Sequence, residues 1–248
     1  MIKKFLIFIA ALMAIGVPIF AADFDSAGVK IHYIEQGAGE PVILIHGLYA
    51  SGQLNWGAPG IIADLAKHYR VIALDCRGHG ESGKPSGEGD YGVRMVEDVV
   101  RLMDHLDLRS AHLIGYSMGG MIALKLAVTH PDRVRGAILG GMGWLSTGSR
   151  LQQFWENAGG RGKGKSALLH GFAEFAVTAD EVKAIKAPLQ VIVGERDPCR
   201  QLYVNPLVKL RPDISAHLIA GAGHLDCVIK PEFKAELNAA LERNLARP

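Results

Sequence analysis

The most constraining stretch of this chain runs from Ala111 to Ala127. Ala111-His112-Leu113-Ile114 is a short apolar run that passes through Gly115-Tyr116-Ser117-Met118-Gly119 into Ile122-Ala123-Leu124-Lys125-Leu126-Ala127. Apolar residues in that last segment recur at helical spacing, so the pattern predicts a buried strand feeding a helix through one tight turn. A turn that sharp strains the backbone at Ser117. It also leaves no room for side chains at 115 and 119, where the chain carries glycine. The serine Oγ is thereby lifted clear of the sheet, and the Met118 N–H points into the same space with the positive end of the helix dipole behind it. A glycine-rich turn holding an ordinary serine would show the same five residues. The rest of the chain has to decide between the two.

From Val29 onward strands alternate with helices. Val29–Glu35 alternates like an edge strand, and Gly37-Ala38-Gly39 turns it into Pro41-Val42-Ile43-Leu44-Ile45, which is continuously apolar as a buried parallel strand is. A helix over Ile61–His68, a strand over Val71–Asp75 and an amphipathic helix over Tyr91–Leu106 follow. Beyond the serine helix come strands at Val134–Leu139, Leu189–Val193 and Ser215–Ile219, then a final helix over Pro231–Leu245. This alternation predicts an α/β fold, a doubly wound and mostly parallel sheet whose ligands collect at the carboxyl ends of the strands. With 248 residues and 49% hydrophobic content, one large domain with a substantial core is expected.

The first 22 residues read differently. Met1-Ile2-Lys3-Lys4 is a basic start, Phe5–Phe20 is almost wholly apolar, and Ala21-Ala22 offers small residues for cleavage, although Ile19 or Phe20 stands where a small residue is preferred. The expectation is a signal peptide over 1–22 and a mature domain over 23–248, periplasmic or secreted, with no stable membrane anchor left after cleavage. An uncleaved anchor is the alternative. Cleavage removes Lys3 and Lys4 and no acid, which takes the 27 basic residues to 25 against 25 acidic ones. A formal charge of zero argues against nucleic acid as a partner, and the basic run Arg161–Lys165 reads as a solvated loop.

Two further groups can converge on the serine. Leu189–Val193 runs into Gly194-Glu195-Arg196-Asp197-Pro198, which sets Asp197 just past a strand end; Glu195 and Asp226 are rival acids, and Asp197 lies deeper in its loop. The Gly221-Ala222-Gly223-His224 loop then follows the last strand and ends in a histidine free to swing an imidazole over Ser117. The order serine, acid, histidine is the one found in α/β-hydrolases.

Over nearly all of residues 28–246 the chain resembles the α/β-hydrolase family. The matching segments are His46-Gly47 after a buried strand, Asp75-Cys76-Arg77-Gly78-His79-Gly80-Glu81-Ser82 after the next, Gly115–Gly119, the Gly194–Asp197 turn and Gly223-His224. The resemblance implies a catalytic triad of Ser117, Asp197 and His224. It also implies an oxyanion hole from the backbone N–H groups of Leu48 and Met118, and a structural role for Asp75 and Arg77 beneath the site. A serine nucleophile sets the chain apart from relatives that resemble it but use aspartate there. The implied activity is hydrolysis of a small carboxylic ester through an acyl-enzyme, with a small-molecule acyl substrate, no cofactor and no metal. Hydrolysis of a carbon–carbon bond in a diketone-like compound is one alternative. A small-molecule receptor that retains the triad is the other.

The family inserts its cap where about 145–187 lies here. Phe154, Trp155, Phe172 and Phe175 are expected to line the substrate pocket, with Leu168 and Leu169 as further roof residues and 159–165 as a mobile link. Thr178-Ala179-Asp180-Glu181 fits a capping box that opens a short helix. The insertion is short, so the pocket is expected to be rather open. Cys199 follows Asp197 by two residues and Cys227 follows His224 by three, so a disulfide between the acid and base loops is one option for an exported chain. Three unrelated thiols, with Cys76, are the other.

Overall fold

The structure, a computed structural model of the 248-residue chain, describes residues 18–87, 89–158 and 165–245. The basic and apolar start through residue 17 and the 159–164 part of the cap link lie outside the described residues. Eight strands form one sheet: β1 (Phe20–Ser26), β2 (Val29–Gln36), β3 (Pro41–Ile45), β4 (Arg70–Leu74), β5 (Ala111–Tyr116), β6 (Val134–Gly140), β7 (Leu189–Gly194) and β8 (Ser215–Ile219). Their spatial order is β1-β2-β4-β3-β5-β6-β7-β8. The β1–β2 and β2–β4 pairs are antiparallel and the remaining five are parallel.

Alternate residues of each central strand face opposite apolar layers, which is why these strands read as continuous hydrophobic runs. Ile43, Ile45, Val191 and Val193 belong to the layer covered by α2 (Val93–His105) and α3 (Met118–Thr129). Val42, Leu44 and Ile192 belong to the layer covered by α1 (Ile61–Leu65) and α8 (Pro231–Leu245). On one face α2 turns Met95, Val96, Val99, Leu102 and Met103 to the core.

The sheet has one strand more than the sequence reading placed. Val29–Gln36 is not an edge strand, because β1 pairs along its whole length, Phe20 opposite Glu35 and Ser26 opposite Val29. Ala27 and Gly28, both at positive φ, make the two-residue turn between them. The expected boundary after residue 22 therefore falls inside β1. Phe20 and Ala21 there are exposed at the sheet edge. Among the described residues no helix is long and apolar enough to cross a membrane.

Between β6 and β7 lie the short helices α4 (Arg150–Asn157), α5 (Lys165–Gly171) and α6 (Ala179–Ala184), the cap of this fold. Thr178 and Glu181 close the capping box in both directions. Helix α7 (Asn205–Leu210) follows β7. Beneath the cap, the Asp75–Ser82 turn is held by its own charges. Asp75 accepts from the N–H groups of Gly52 and Glu81, and Arg77 pairs with Asp98 with both side chains at most 2% exposed.

Candidate active site

Strand β5 meets helix α3 at Ser117, whose φ of 52° and ψ of −113° are strained for any residue with a side chain. The corner closes because glycine stands on both sides of it. A Cβ on Gly115 would lie 2.0 Å from the Gly119 carbonyl oxygen, and a Cβ on Gly119 would lie 2.0 Å from that of Ile45. Strand and helix can cross this closely only where those side chains are missing. Ser117 is anchored by its N–H to the Gly140 carbonyl at 2.8 Å, and its Oγ is presented to the space above the sheet.

The residues that converge there come from three strand ends. His224, from the loop after β8, brings Nε2 to 2.9 Å from Ser117 Oγ. Its Nδ1 lies 2.7 Å from Asp197 Oδ2, from the loop after β7. The Asp197 side chain is fully buried, and its other oxygen accepts the Cys199 N–H at 2.8 Å. Neither rival acid is turned to the histidine. Asp226 accepts the Gly223 N–H and Glu195 accepts the Gly221 N–H, so the two carboxylates brace the base loop from outside. The Gly223 N–H, with Lys230 nearby, holds the Asp226 carboxyl below its ordinary range.

The loop after β3 supplies the opposite wall. Gly47 comes so near that a Cβ there would stand 3.5 Å from Ser117 Cβ. His46 is buried and staples this loop down, with Nδ1 on the Gly47 carbonyl at 2.7 Å and Nε2 accepting the Cys76 N–H at 2.9 Å. Burial, then the neighbouring His79, lowers His46 to about 4, so the ring is neutral at ordinary pH. Leu48 and Met118 flank Ser117 on the cavity wall, and their amides take no acceptor among the described residues. Tyr49 beside them sits at a φ of 60°, so two of the strained non-glycine residues border one cavity.

That cavity holds about 870 Å³, with Ser117 and His224 in its wall. Phe154, Trp155 and Phe172 line it, as the sequence suggests. Phe175 does not: it is 2% exposed, packed against Phe172 in the layer below. An aromatic side chain in the cap is expected to turn away from water, which does not say whether it faces the cavity or the core. Leu168 is likewise core, and neither it nor Leu169 reaches the cavity. Trp155 is fixed by its indole N–H on the Tyr203 hydroxyl at 3.1 Å. Around the mouth Tyr49, Leu54, Phe154, Leu202, Leu225 and Ile229 are exposed, Leu225 by 89%. No Asp, Glu, Lys or Arg side chain lines the cavity among the described residues.

Two positioning residues escaped the sequence reading. Asn55, in a single helical turn after β3, accepts the Gly47 N–H at 3.0 Å and turns its Nδ2, without a partner among the described residues, into the buried wall. Tyr116, the variable position of the serine turn, donates its hydroxyl to the His224 carbonyl at 2.5 Å, and its ring lies 5.7 Å from the imidazole, tilted by 35°. Only the proximity of Tyr116 to Ser117 in sequence could have flagged it. The bridge between Cys199 and Cys227 is absent, and all three cysteines are free. The two loops are joined, the Arg196 N–H donating to the Ala222 carbonyl at 2.9 Å, yet their cysteines belong to opposite layers of the sheet. Cys199 packs toward the α2–α3 layer, whereas Cys227 is buried in the α1–α8 layer.

A sequence profile of the α/β hydrolase fold matches residues 40–161. Among curated proteins, the dihydrolipoyllysine-residue acetyltransferase component of an acetoin cleaving system from Pseudomonas putida is 35% identical over 186 residues, 72% of this chain and 48% of that protein. The 2-hydroxy-6-oxo-6-(2'-aminophenyl)hexa-2,4-dienoic acid hydrolase of Metapseudomonas resinovorans is 37% identical over 123 residues, 49% of this chain and 42% of the relative. The chain thus spans about half the length of the curated relatives it matches. Among solved structures, a thermophilic esterase from Thermogutta terrifontis has a TM-score of 0.74 at 23% identity, covering 91% of this chain and 99% of that one. At that identity the likeness is one of fold.

Proposed function

This chain belongs to the α/β-hydrolase fold family, and within it we propose a serine hydrolase that cleaves small, uncharged carboxylic esters through an acyl-enzyme. The observation that carries the reading is the unbroken line Ser117 Oγ, His224 Nε2, His224 Nδ1, Asp197 Oδ2, with contacts of 2.9 and 2.7 Å. Ser117 Oγ attacks the acyl carbon and passes its proton to Nε2. Asp197 keeps Nδ1 protonated and balances the imidazolium charge. The carbonyl π electrons move onto oxygen, and that oxyanion takes the free N–H groups of Leu48 and Met118, each worth roughly 10²- to 10³-fold in rate. Collapse expels the alcohol with the proton from His224, and water repeats the sequence to release the acid.

The apolar cavity wall supports this reading over carbon–carbon bond hydrolysis of an acidic compound. The name of the relative from Metapseudomonas resinovorans describes an acid as its substrate. A carboxylate buried here would meet no Lys or Arg among the described lining residues, at a desolvation cost of several kcal/mol. An apolar acyl or aryl ester meets the aliphatic and aromatic wall it needs. The basic and apolar start, residues 1–22, supports export as the setting for this activity. A panel of p-nitrophenyl esters of increasing chain length, assayed on the wild type and Ser117→Ala, tests the proposal. Turnover by the wild type alone is the expected result. Comparable turnover by the variant removes the serine mechanism, and none by either favours carbon–carbon cleavage or a receptor that retains the triad.

A further inference from the structure

A thiol stands beside the acid and the base, where acyl transfer has no use for one. Asp197 gives one carboxylate oxygen to His224 Nδ1 and the other to the Cys199 N–H. The Cys199 thiol lies near the same carboxylate. One donor atom from each of Asp197, Cys199 and His224 lies within 4.8 Å of the other two, the one such group among the described residues. Cys199 and His224 line the cavity, so a small ion reaches the group by the substrate's own route.

Thiolate, imidazole and carboxylate together are the donors that borderline and soft divalent ions select. Three protein ligands with water in a fourth position is a stable zinc arrangement. We propose that Asp197, Cys199 and His224 form an inhibitory site for thiophilic divalent ions such as Zn²⁺ and Cd²⁺, which turn the enzyme off by capturing its base. Bonds of about 2.0–2.3 Å set ligand atoms roughly 3–4 Å apart, so His224 Nδ1 and Asp197 Oδ2, now 2.7 Å apart, part slightly to admit the ion while the thiol closes on it.

Without an ion the 2.7 Å contact between His224 Nδ1 and Asp197 Oδ2 stands intact beside the Cys199 thiol. Binding breaks the S–H bond, forms a sulfur–metal bond and releases the proton to solvent, with no change of oxidation state. Ligation through Nδ1, the nitrogen facing Asp197, shifts the imidazole proton to Nε2. The resulting Nε2–H points at Ser117 Oγ as a donor, and nothing remains to accept the serine proton.

The inhibition rests on the triad assignment, whereas the binding does not, and the test reads both. Cd²⁺ is titrated into the purified full chain and into Cys199→Ser and Cys199→Ala. The readouts are the ultraviolet thiolate-to-cadmium charge-transfer band, proton release and ester turnover, with each rate scaled to that variant's own metal-free value. The wild type should show the band at one ion per chain and release about one proton. Both variants should lose the band, and their half-inhibitory Cd²⁺ concentration should rise at least about tenfold. Mg²⁺ and Ca²⁺, which prefer all-oxygen sites, should leave turnover unchanged. A band that survives in the variants puts the ion on Cys76 or Cys227 and overturns the site. Equal inhibition of wild type and variants overturns the mechanism. A chain that binds cadmium through Cys199 yet hydrolyses no ester upholds the site and counts against the esterase reading alone.

Discussion

At the β5–α3 corner, backbone atoms stand where side chains would otherwise be. The Ile45 carbonyl would be 2.0 Å from any Cβ at position 119, and the Gly119 carbonyl would be 2.0 Å from any Cβ at 115. The cap that roofs the same cavity is built in the opposite way. Its helix α4 buries no residue completely, although Phe172, Phe175 and Val182 elsewhere in the cap are buried, and polar contacts tie parts of it to the core. Lys125 Nζ donates to the Ala176 carbonyl at 2.9 Å, and the Trp144 indole N–H donates to the Val177 carbonyl at 2.8 Å. One region admits a single residue type per position, and the other admits any apolar side chain of suitable size. Ser117 is therefore held by geometry that admits no side chain on either side of it, while the apolar roof of the cavity is free to vary.

The largest expected effects follow from breaking the corner's chemistry. His224→Ala and Asp197→Asn should each leave a folded protein and lower kcat by roughly 10³- to 10⁶-fold, because each belongs to one cooperative unit. Asp226→Asn, which loses only a loop brace, should be mild. If steady-state kinetics showed Asp226→Asn to be the more damaging, the acid would be misassigned. Breaking the corner's sterics comes next. Gly119→Ala should destabilise by at least about 3 kcal/mol, since the clash is with backbone that cannot rotate away. Urea unfolding that found it neutral would show the corner to be as plastic as the cap.

This difference also explains what could be read from the sequence. Gly115, Ser117 and Gly119 are legible because steric exclusion leaves a residue-type signature, and His224 because it follows the last strand in a glycine-rich loop. Asp197 was separable from Glu195 and Asp226 only by its depth in the loop, and the hydrogen bonds to Gly221 and Gly223 supply the physical reason. Strand β1 was hidden because Phe20-Ala21-Ala22 also completes an apolar leader pattern, so one stretch carried two meanings. Phe175 was misjudged for a related reason. Cap and core both recruit aromatics, and their partition depends on how α4 and the 172–175 turn stack, which is set by long-range packing. Tyr116 and Asn55 act through contacts across the fold that no local pattern encodes.

A pH titration sharpens the comparison at intermediate energy. His46 holds the loop opposite Ser117 and stays neutral down to about 4, mainly because burial disfavours its charge. His79, whose ring lies 5.0 Å away, is lowered for the same reason. An unfolded histidine takes up its proton near its ordinary 6.5. Between those values the unfolded chain binds more protons than the folded one, so stability must fall as pH drops from about 6.5 to about 4. His46 alone accounts for roughly 3 kcal/mol across that window. Urea unfolding at pH 7 and pH 4.5 should show the loss, and His46→Asn should flatten the dependence without abolishing it, since His79 remains. An identical pH dependence in the variant would mean that the corner's loop is not where acid acts.

The smallest effect on stability is expected where cap and cavity meet solvent. Phe154 is exposed on α4 and lines the mouth, so Phe154→Ala removes little buried area and should change stability by no more than about 0.5 kcal/mol. Its loss should still be felt by a long acyl chain lying against that wall, with kcat/KM for long esters falling up to about tenfold, while acetate esters, too short to reach it, are unaffected. Phe175 supplies the matching control, because it sits below the cavity in the packed layer. Phe175→Ala should cost about 3–5 kcal/mol of stability and leave the ratio of long to short ester turnover unchanged. If both variants altered chain-length preference equally, cap and core would be mechanically one unit, and the division between a fixed corner and a variable roof would fail at the place where it matters for substrate choice.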